Sequence, residues 1–570
     1  KNIEFLEWFS DYYLTSPAFI LKTFVPSPPL RSGNFKIISR PKSSSLSIPK
    51  TELEQIRQAV KKNISSKKSS FLFHYKNSKN KIAVFLKCAE KIIFNDRGIL
   101  VLLPQVSDVL EYFSYFSNLF PGKIALLHGE LSKTEYWQEW QKIKKGEVKI
   151  VIGTRSALFA PLKNLGLIII DPEESSDFKQ SDQNPRYDAR NAALKLAEIY
   201  SSKIIFASQS PRPEMYFKSQ NNPNFSYLYS QKSSPLSITL IDMNDEIKNK
   251  NFSCISEEIR KKISDTISKK QKSILLLNRR GAGNTIVCRD CDHVFRCKNC
   301  DTPLSHREGE RGLSGKFVCC NCDKEESVQL LCPKCRGANI KYLGIGTQTV
   351  EKEIKKIFSG VNILRIDKDS EVQNFNLQIS AADVIVGTQF FIKHYLTKVK
   401  NTGMVGVISS DTLIYRPDFR SGEKMFSWLT KIANFSREIK NPLFIQTFFP
   451  NNFIIQSIVR EEPDSFYLEE LDNRQMLKYP PFGKIIKLVY GNTERKICLD
   501  EGLKIFKALE NNLKEKINIF FDPEPKKEKN KYFSKIIIKF PENFTVVIKD
   551  IIKKIVPDSW TIDIDPENIL

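Results

Sequence analysis

Two tandem α/β lobes built on parallel sheets, a cysteine-rich insert within the second, and a small C-terminal α+β domain are the architecture the sequence predicts. Three observations predict it. Short apolar runs alternate with amphipathic stretches along most of the chain, eight of the twelve cysteines fall in four CxxC pairs, and the apolar pattern shortens after residue 451. A strand buried on both faces reads as a continuous apolar run, so this alternation points to sheets covered by helices on both sides. A chain of 570 residues exceeds a single core; at roughly 100–200 residues per domain, three to five domains are expected.

Taken in order, residues 1–45 are a short aromatic, helix-like piece and a Pro/Ser-rich link (VPSPPLRSG, then RPKSSSLSIPK). Lobe one, 46–230, carries the runs GILVLLP (98–104), KIALLHG (123–129), VKIVIGT (148–154), LGLIIID (165–171) and KIIFAS (203–208). Between the first two, Val109, Leu110, Phe113, Phe116 and Phe120 recur at helical spacing. Lobe two, 231–450, repeats the rhythm with SITLIDM, SILLLNRRG, VNILRID, DVIVGTQ, MVGVIS and PLFIQT, interrupted by the insert at 286–338. In the C-terminal domain, 451–570, strand-like KIIKLVYG, INIFFD, KIIIKF and WTIDID alternate with helical stretches at 493–514 and 542–555. The lysine-rich KKEKNK (526–531) reads as a solvated loop.

The chain holds 88 Lys and Arg against 65 Asp and Glu, a net charge of +23 and a pI near 9.3. A basic surface concentrates anions, and nucleic acid is the commonest such partner. No stretch approaches the ~18–20 apolar residues of a membrane span, and KNIEFLEWFSDYY lacks the basic-then-apolar order of a signal peptide. A cytoplasmic, nucleoid-associated monomer that does not engage membranes is expected. The missing initial Met suggests a fragment.

The four pairs are Cys288/Cys291, Cys297/Cys300, Cys319/Cys322 and Cys332/Cys335. A CxxC turn lets two thiolates reach one tetrahedral ion at ~2.3 Å, and two such turns close a site. Eight thiolates make two zinc ions per chain, structural rather than catalytic because each shell is complete. Three pairings are possible. The segment 301–318 suits a hairpin, so Cys297, Cys300, Cys319 and Cys322 are expected to share one ion, and Cys288, Cys291, Cys332 and Cys335 the other. Cys320 is an extra thiol, and His293 and His306 read as surface residues because the cysteines already saturate both sites. Cys88, Cys254 and Cys498 read as small buried hydrophobes.

With LLNRRGAGNTIVCRDCDHVFRCKNCDTPLSH, the later CNC and CPKC turns, and YLGIGTQTVEKEIKKIFSGVNILRIDKDS on the page, the chain resembles the PriA family (primosomal protein N′) of superfamily-two replication-restart DNA helicases. VIGTRSALFAPLKNLGLIIID, DFKQSDQNPRYDAR, YRPDFRSGEKMF, YPPFGKIIKLV and WTIDIDPENIL support it in the same order. The resemblance implies two RecA-like lobes, a two-zinc module and a C-terminal domain on forked DNA. It also implies ATP with magnesium as cofactor. Its partners would be forked and single-stranded DNA and primosome proteins, with single-stranded DNA-binding protein and the replicative helicase loader as candidates. FLEWFSDYYLTSPAFILKTFVP looks like the tail of the family's N-terminal DNA-binding domain.

The nucleotide motifs depart from that pattern. A phosphate cradle needs glycines, a Lys and a Ser/Thr hydroxyl on magnesium. Here Tyr75, Ser78 and Asn80 replace the glycines, Ile82 replaces the hydroxyl, and Lys81 stands at the lysine position, where an ordinary surface lysine is the simpler reading. The acidic motif reads Asp171, Pro172, Glu173, Glu174: Asp171 suits magnesium, Pro172 cannot orient water, and only a one-residue slip would bring in Glu173. Ala207–Pro211 matches the next motif in part. At the last motif Phe435 and Glu438 fill the arginine positions and Arg437 is displaced by one. Loss of an arginine finger costs on the order of 10³–10⁵ in rate. Together these changes argue that ATP turnover was abandoned and that ATP and magnesium binding are doubtful.

The nucleic-acid surface is the remaining candidate. Segment 176–190 resembles the family's aromatic-rich DNA-sensing loop and keeps Phe178, Lys179, Arg186, Tyr187 and Arg190. Arg155, with Thr154 and Ser156, follows a strand end, as do His128 and Gly129; Thr388, Gln389, Lys393 and His394 do so in lobe two. Asp411 reads as a strand-end turn residue. Arg279 and Arg280 could brace the insert or meet phosphate. The expected function is fork binding and loading of replication machinery without ATP-driven unwinding. The alternatives are an active ATP-dependent 3′-to-5′ helicase and a general zinc-containing nucleic-acid binder.

Overall fold

The computed structural model describes residues 1–29, 66–76, 78–229, 235–278, 284–291, 293–298, 304–307, 316–319, 324–343, 346–367, 375–413, 418–513, 517–528 and 530–569, with positions 41, 44, 54, 58 and 60. It divides into two compact units: Lys1–Gln231 together with Leu471–Ile569, and Lys232–Glu470.

Among the described residues, the first unit holds a parallel sheet of β1 Ser70–His74, β2 Gly98–Leu102, β3 Ile124–Leu127, β4 Ile150–Gly153, β5 Leu165–Ile170, β6 Lys203–Ser208 and β7 Phe225–Tyr229. Their order is β3-β4-β2-β5-β6-β1-β7. The central strands are buried along their whole length, which is why each reads as an unbroken apolar run. Edge strand β7 is only half-buried after its first residue, so FSYLY gave no such run and was not foreseen. The helix Val106–Leu119 buries Val109, Phe113 and Phe116, as its spacing predicts.

The second unit holds β8 Ile238–Asp242 and β9 Lys272–Leu277, then the insert strands β10 Asn284–Cys288, β11 Leu304–Arg307, β12 Lys316–Cys319, β13 Glu325–Ser327 and β14 Ile340–Leu343. The lobe resumes with β15 Ile363–Ile366, β16 Val384–Gly387, β17 Thr402–Ser409 and β18 Leu443–Thr447. The lobe sheet is parallel in the order β15-β16-β9-β17-β18-β8. The insert sheet is antiparallel in the order β13-β12-β11-β10-β14.

The C-terminal strands belong to the first unit: β19 Lys484–Asn492, β20 Asn518–Phe521, β21 Lys526–Glu528, β22 Lys531–Phe540 and β23 Thr561–Ile564, antiparallel throughout. KKEKNK is therefore not a simple loop. Lys526 pairs with Phe533, Lys527 with Tyr532 and Glu528 with Lys531, a hairpin that leaves Lys527 and Lys531 exposed while Lys526 is largely covered beside Asp522. The aromatic helix Asn2–Tyr12 packs into the same unit: Phe9 lies 5.5 Å from Phe159 and 5.3 Å from Tyr187, centroid to centroid. Its far side is tied to the C-terminal domain, where Tyr12 donates to Asp565 and Asp11 pairs with Lys553. Among the described residues no helix is long and apolar enough to cross a membrane.

Candidate functional site

In an open parallel sheet, ligands bind beyond the carboxyl ends of the strands. Tyr75 follows β1 and Asp171 follows β5, with β6 between the two strands. Lys81 lies in the first turn of the helix Ser78–Phe94, and Tyr112 lies on the helix that follows β2. Three of these four groups converge on Asp171. Lys81 Nζ lies 2.7 Å from Oδ2, the Tyr75 hydroxyl donates to Oδ1 at 3.0 Å, and the Tyr112 hydroxyl donates to Oδ2. Lys81 also donates to the Tyr75 hydroxyl at 3.0 Å and sits over its ring at 4.7 Å. Asp171 is 1% exposed and the Lys81 side chain 14%.

Lys81 is therefore not the surface lysine that its sequence setting suggested. The cradle position is filled as well. Tyr75 is buried, and its backbone N–H, which a phosphate loop would offer to the ligand, donates to the Ser208 carbonyl at 2.9 Å. The Ser78 side chain lies outside the described residues, and Asn80 is half-buried. Burial, reinforced by the Asp171 charge, pushes the Tyr112 hydroxyl well above the usual phenol range, so it stays a neutral donor. Both oxygens of the magnesium-ligand candidate are thus engaged by protein groups. Tyr112 gave no sequence signal apart from its place on the apolar face of its helix.

Glu173 is fully buried. Its Oε1 accepts from the Arg212 backbone N–H at 2.7 Å, and its Oε2 has no hydrogen-bond partner. Burial pushes its carboxyl up to about 8 against the pull of Arg190 and Arg212. Glu174 accepts from Ser208 at 2.6 Å, which links the acidic motif to Ala207–Pro211.

The aromatic-loop residues need a correction. Phe178, Lys179, Tyr187 and Arg190 are all buried, so in this structure, without DNA, none of them is presented to solvent as the sequence reading expects. Phe178 joins the core, and Tyr187 packs between Phe9, Tyr13 and Phe159. Lys179 Nζ lies 2.8 Å from Asp563 Oδ1 and donates to the Ile564 carbonyl at 2.5 Å. Arg190 grips Asp188 through Nε and Nη2 at 2.9 and 2.7 Å and Glu567 at 2.6 Å. Burial alone would raise the Asp188 carboxyl, but Arg190 holds it below the usual carboxylate range. Arg186 and Arg155 are half-exposed, with Arg155 donating to the Lys179 carbonyl at 2.6 Å. Arg212 and Glu567 complete this cluster 2.9 Å apart; Glu567 lies in the recognised WTIDIDPENIL segment and Arg212 just after Ala207–Pro211, but neither signalled a partner because the pairing joins residues 355 positions apart.

In the insert, the Sγ atoms of Cys288, Cys291, Cys332 and Cys335 lie within 4.8 Å of one another. Cys288 and Cys335 are 3.5 Å apart, and Cys291 and Cys332 are 3.7 Å apart. Tetrahedral thiolates at ~2.3 Å from zinc lie ~3.8 Å apart, so these four residues fit the ion. The N–H groups of Lys334 and Gly337 donate to Cys332 and Cys335, each at 3.4 Å. Burial would raise the Cys332 thiol, but neighbouring backbone N–H groups bring it down to about 7, toward the thiolate a metal needs. Cys297 and Cys319 are buried in the same module; Cys300, Cys320 and Cys322 lie outside the described residues.

The remaining lobe-two candidates are built into the fold. Asp411 accepts from Ser410 at 3.0 Å, Thr447 at 2.5 Å and the Phe448 N–H at 2.9 Å, a buried strand-end hub. Gln389 donates to Asn278 at 2.9 Å. Arg437 is bound to Asn434 and Glu461. Arg279 and Arg280 lie outside the described residues.

No protein-family model matches the chain. Several curated relatives do, each named replication restart protein PriA. The Bacillus subtilis protein is 34% identical over 443 residues, covering 75% of this chain and 54% of the relative. The Synechocystis protein is 32% identical over 515 residues, covering 87% and 62%. The Borreliella burgdorferi protein is 30% identical over 481 residues, covering 82% and 71%. The chain thus spans between half and two thirds of the first two relatives' length. Among solved structures, RecG bound to a three-way DNA junction aligns with 81% of this chain and 52% of its own, at 11% identity and TM-score 0.40. The DUF1998 helicase MrfA bound to DNA aligns with 73% and 48%, at 12% identity and TM-score 0.40.

Proposed function

The chain belongs to the PriA replication-restart family, and from that premise we propose that it binds forked or single-stranded DNA and helps load replication machinery at stalled forks without turning over ATP. The observation that carries the second half is the closure around Asp171. A magnesium-nucleotide site needs that carboxylate open toward a phosphate, with backbone N–H groups free to wrap the anion. Here the carboxylate holds Lys81 and two tyrosine hydroxyls, and the Tyr75 N–H is committed to Ser208. Nucleotide entry would have to displace both phenols and break a buried ion pair. The displaced Arg437 and the proline after Asp171 support the same reading.

The first half rests on family membership and on the net charge of +23. Arg186 of the aromatic-rich loop and Arg155 just after β4 are the candidates that retain exposure for phosphate contact. Zinc in the insert would fix the CxxC turns and so present a rigid surface to primosome proteins, such as single-stranded DNA-binding protein or the helicase loader. Cys288, Cys291, Cys332 and Cys335 would hold one ion; Cys297, Cys300, Cys319 and Cys322 are proposed to hold the second. A working 3′-to-5′ helicase is the second reading, favoured by the survival of a lysine and an aspartate within 2.7 Å at the positions the family uses.

The test uses the full chain with a labelled fork, a matched duplex and single-stranded DNA at stated salt, with phosphate release followed in parallel. Salt-dependent fork binding without release above the uncatalysed rate is expected. Release stimulated by single-stranded DNA would overturn the non-hydrolytic reading, and equal affinity for fork and duplex would overturn the fork reading.

A further inference from the structure

The last strand ends in the sequence TIDIDPE, residues 561–567. In β23, Ile562 and Ile564 pack into the C-terminal core, while Asp563, on the opposite face of the pleat, meets lobe one. Four lobe-one cations receive its carboxylates. Asp563 lies 2.8 Å from Lys179 and 3.6 Å from Arg186, and Glu567 lies 2.6 Å from Arg190 and 2.9 Å from Arg212. Asp565, between them, accepts from Tyr12 and Asn191 at 2.8 and 3.2 Å. Among the described residues, the lobe-one carboxylates seen paired with these cations are Asp188 and Glu214, the latter shared with Arg474, with Glu173 buried nearby. Without the tail the cluster would carry excess positive charge.

Two of the cations are guanidinium forks sharing one carboxylate, a geometry that suits phosphate oxygens equally well. A buried ionic seam adds little stability over well-packed apolar side chains, so its presence calls for another role. The seam also has an open edge. The Arg186 side chain is 24% exposed and that of Glu567 19%, so an incoming anion can reach it without first unfolding the lobe.

We propose that residues 561–567 are an internal anion occupying a phosphodiester-binding site formed by Lys179, Arg186, Arg190 and Arg212, and that a DNA backbone competes with them for it. This rests on the DNA-binding reading above and adds its regulation. The free protein keeps the site closed; binding of DNA exchanges carboxylates for phosphates and loosens the C-terminal strand from lobe one. Arg190 also donates to the Glu173 carbonyl at 2.9 Å, so the exchange is transmitted to the acidic motif.

Hydrogen exchange on the unmodified full chain tests this, with forked DNA, with single-stranded DNA, and with inorganic phosphate at matched ionic strength. DNA should lower amide protection across 561–567, and inorganic phosphate should not; equal loss with phosphate would overturn a polynucleotide site. The isosteric double variant Asp563→Asn with Glu567→Gln should bind the fork about 5–150-fold more tightly. Its salt dependence should steepen by ~1–2 in log–log slope. If the wild type binds DNA while 561–567 stays protected, the inference falls and the DNA-binding reading stands. If the variant folds with unchanged affinity and slope, the tail is a structural clamp only and the inference falls. A wild type that binds no DNA removes the reading beneath it and the inference together.

Discussion

Substituting Lys81 separates a structural lysine from a catalytic one. In a working phosphate cradle the lysine serves the ligand, and its removal abolishes turnover while leaving the fold nearly as stable. Here Lys81 faces a carboxylate that is 1% exposed at 2.7 Å. At an effective dielectric constant of ~20 the gross attraction is about 6 kcal/mol, most of it offsetting desolvation. Removing one partner of such a pair leaves an uncompensated buried charge and costs about 3–5 kcal/mol. The Lys81 side chain retains 14% exposure, which places the expected loss for Lys81→Met near the lower bound, about 3 kcal/mol. Asp171→Asn should cost less, because the amide oxygen still accepts from one tyrosine. The double variant should recover part of the Lys81→Met loss, giving a favourable coupling of about 1–3 kcal/mol. Calorimetry of the full chain checks this, with the transition of the large first unit expected about 4 °C lower in Lys81→Met. A loss below ~1 kcal/mol, together with disappearance of a measurable ATPase rate, would refute the structural reading.

Three further outcomes are expected. The Glu173 carboxyl, raised to about 8 in the fold, stays protonated while the unfolded chain's Glu ionises above ~4.5. Stability should therefore fall as pH rises from about 4.5 to 8, by at most ~1.4 kcal/mol per unit from this group, and Glu173→Gln should flatten that slope in melts at pH 5 and pH 8; an unchanged slope counts against the assignment. Cys332→Ser should lower zinc content by one ion per chain, read by chelator-indicator titration, while leaving the proposed Cys297 site loaded; loss of all zinc would reject the pairing. Phe9→Ala opens a cavity among Phe5, Tyr13, Phe159 and Tyr187 and should destabilise the first unit by about 3–5 kcal/mol in a thermal melt; a shift below 1 kcal/mol would show that the aromatic helix is not integral to the core.

Much of the architecture was legible because it depends on local pattern. Buried parallel strands must be apolar on both faces, so GILVLLP, LGLIIID and KIIFAS announced β2, β5 and β6. A CxxC turn carries its metal chemistry in four residues, so the Cys288 and Cys332 turns could be paired before any coordinates, and the structure brings their four sulfurs together. Half-buried β7 and the lysine-rich hairpin at 526–528 escaped, because their surroundings suppress the apolar signal that marks a strand.

What sequence alone determined is the departure from a nucleotide motif: a tyrosine where glycine is needed and a proline after Asp171. What replaced it belongs to the tertiary structure. Lys81 and Asp171 are ninety positions apart and meet because β1 and β5 end on the same edge of one parallel sheet, with Tyr112 lowered onto them by the helix after β2. The same holds for Lys179 with Asp563 and Arg190 with Glu567, partners nearly four hundred residues apart. A charged side chain looks solvent-exposed in sequence whatever its fate, and only the folding of distant strands together supplies the opposite charge that lets it be buried.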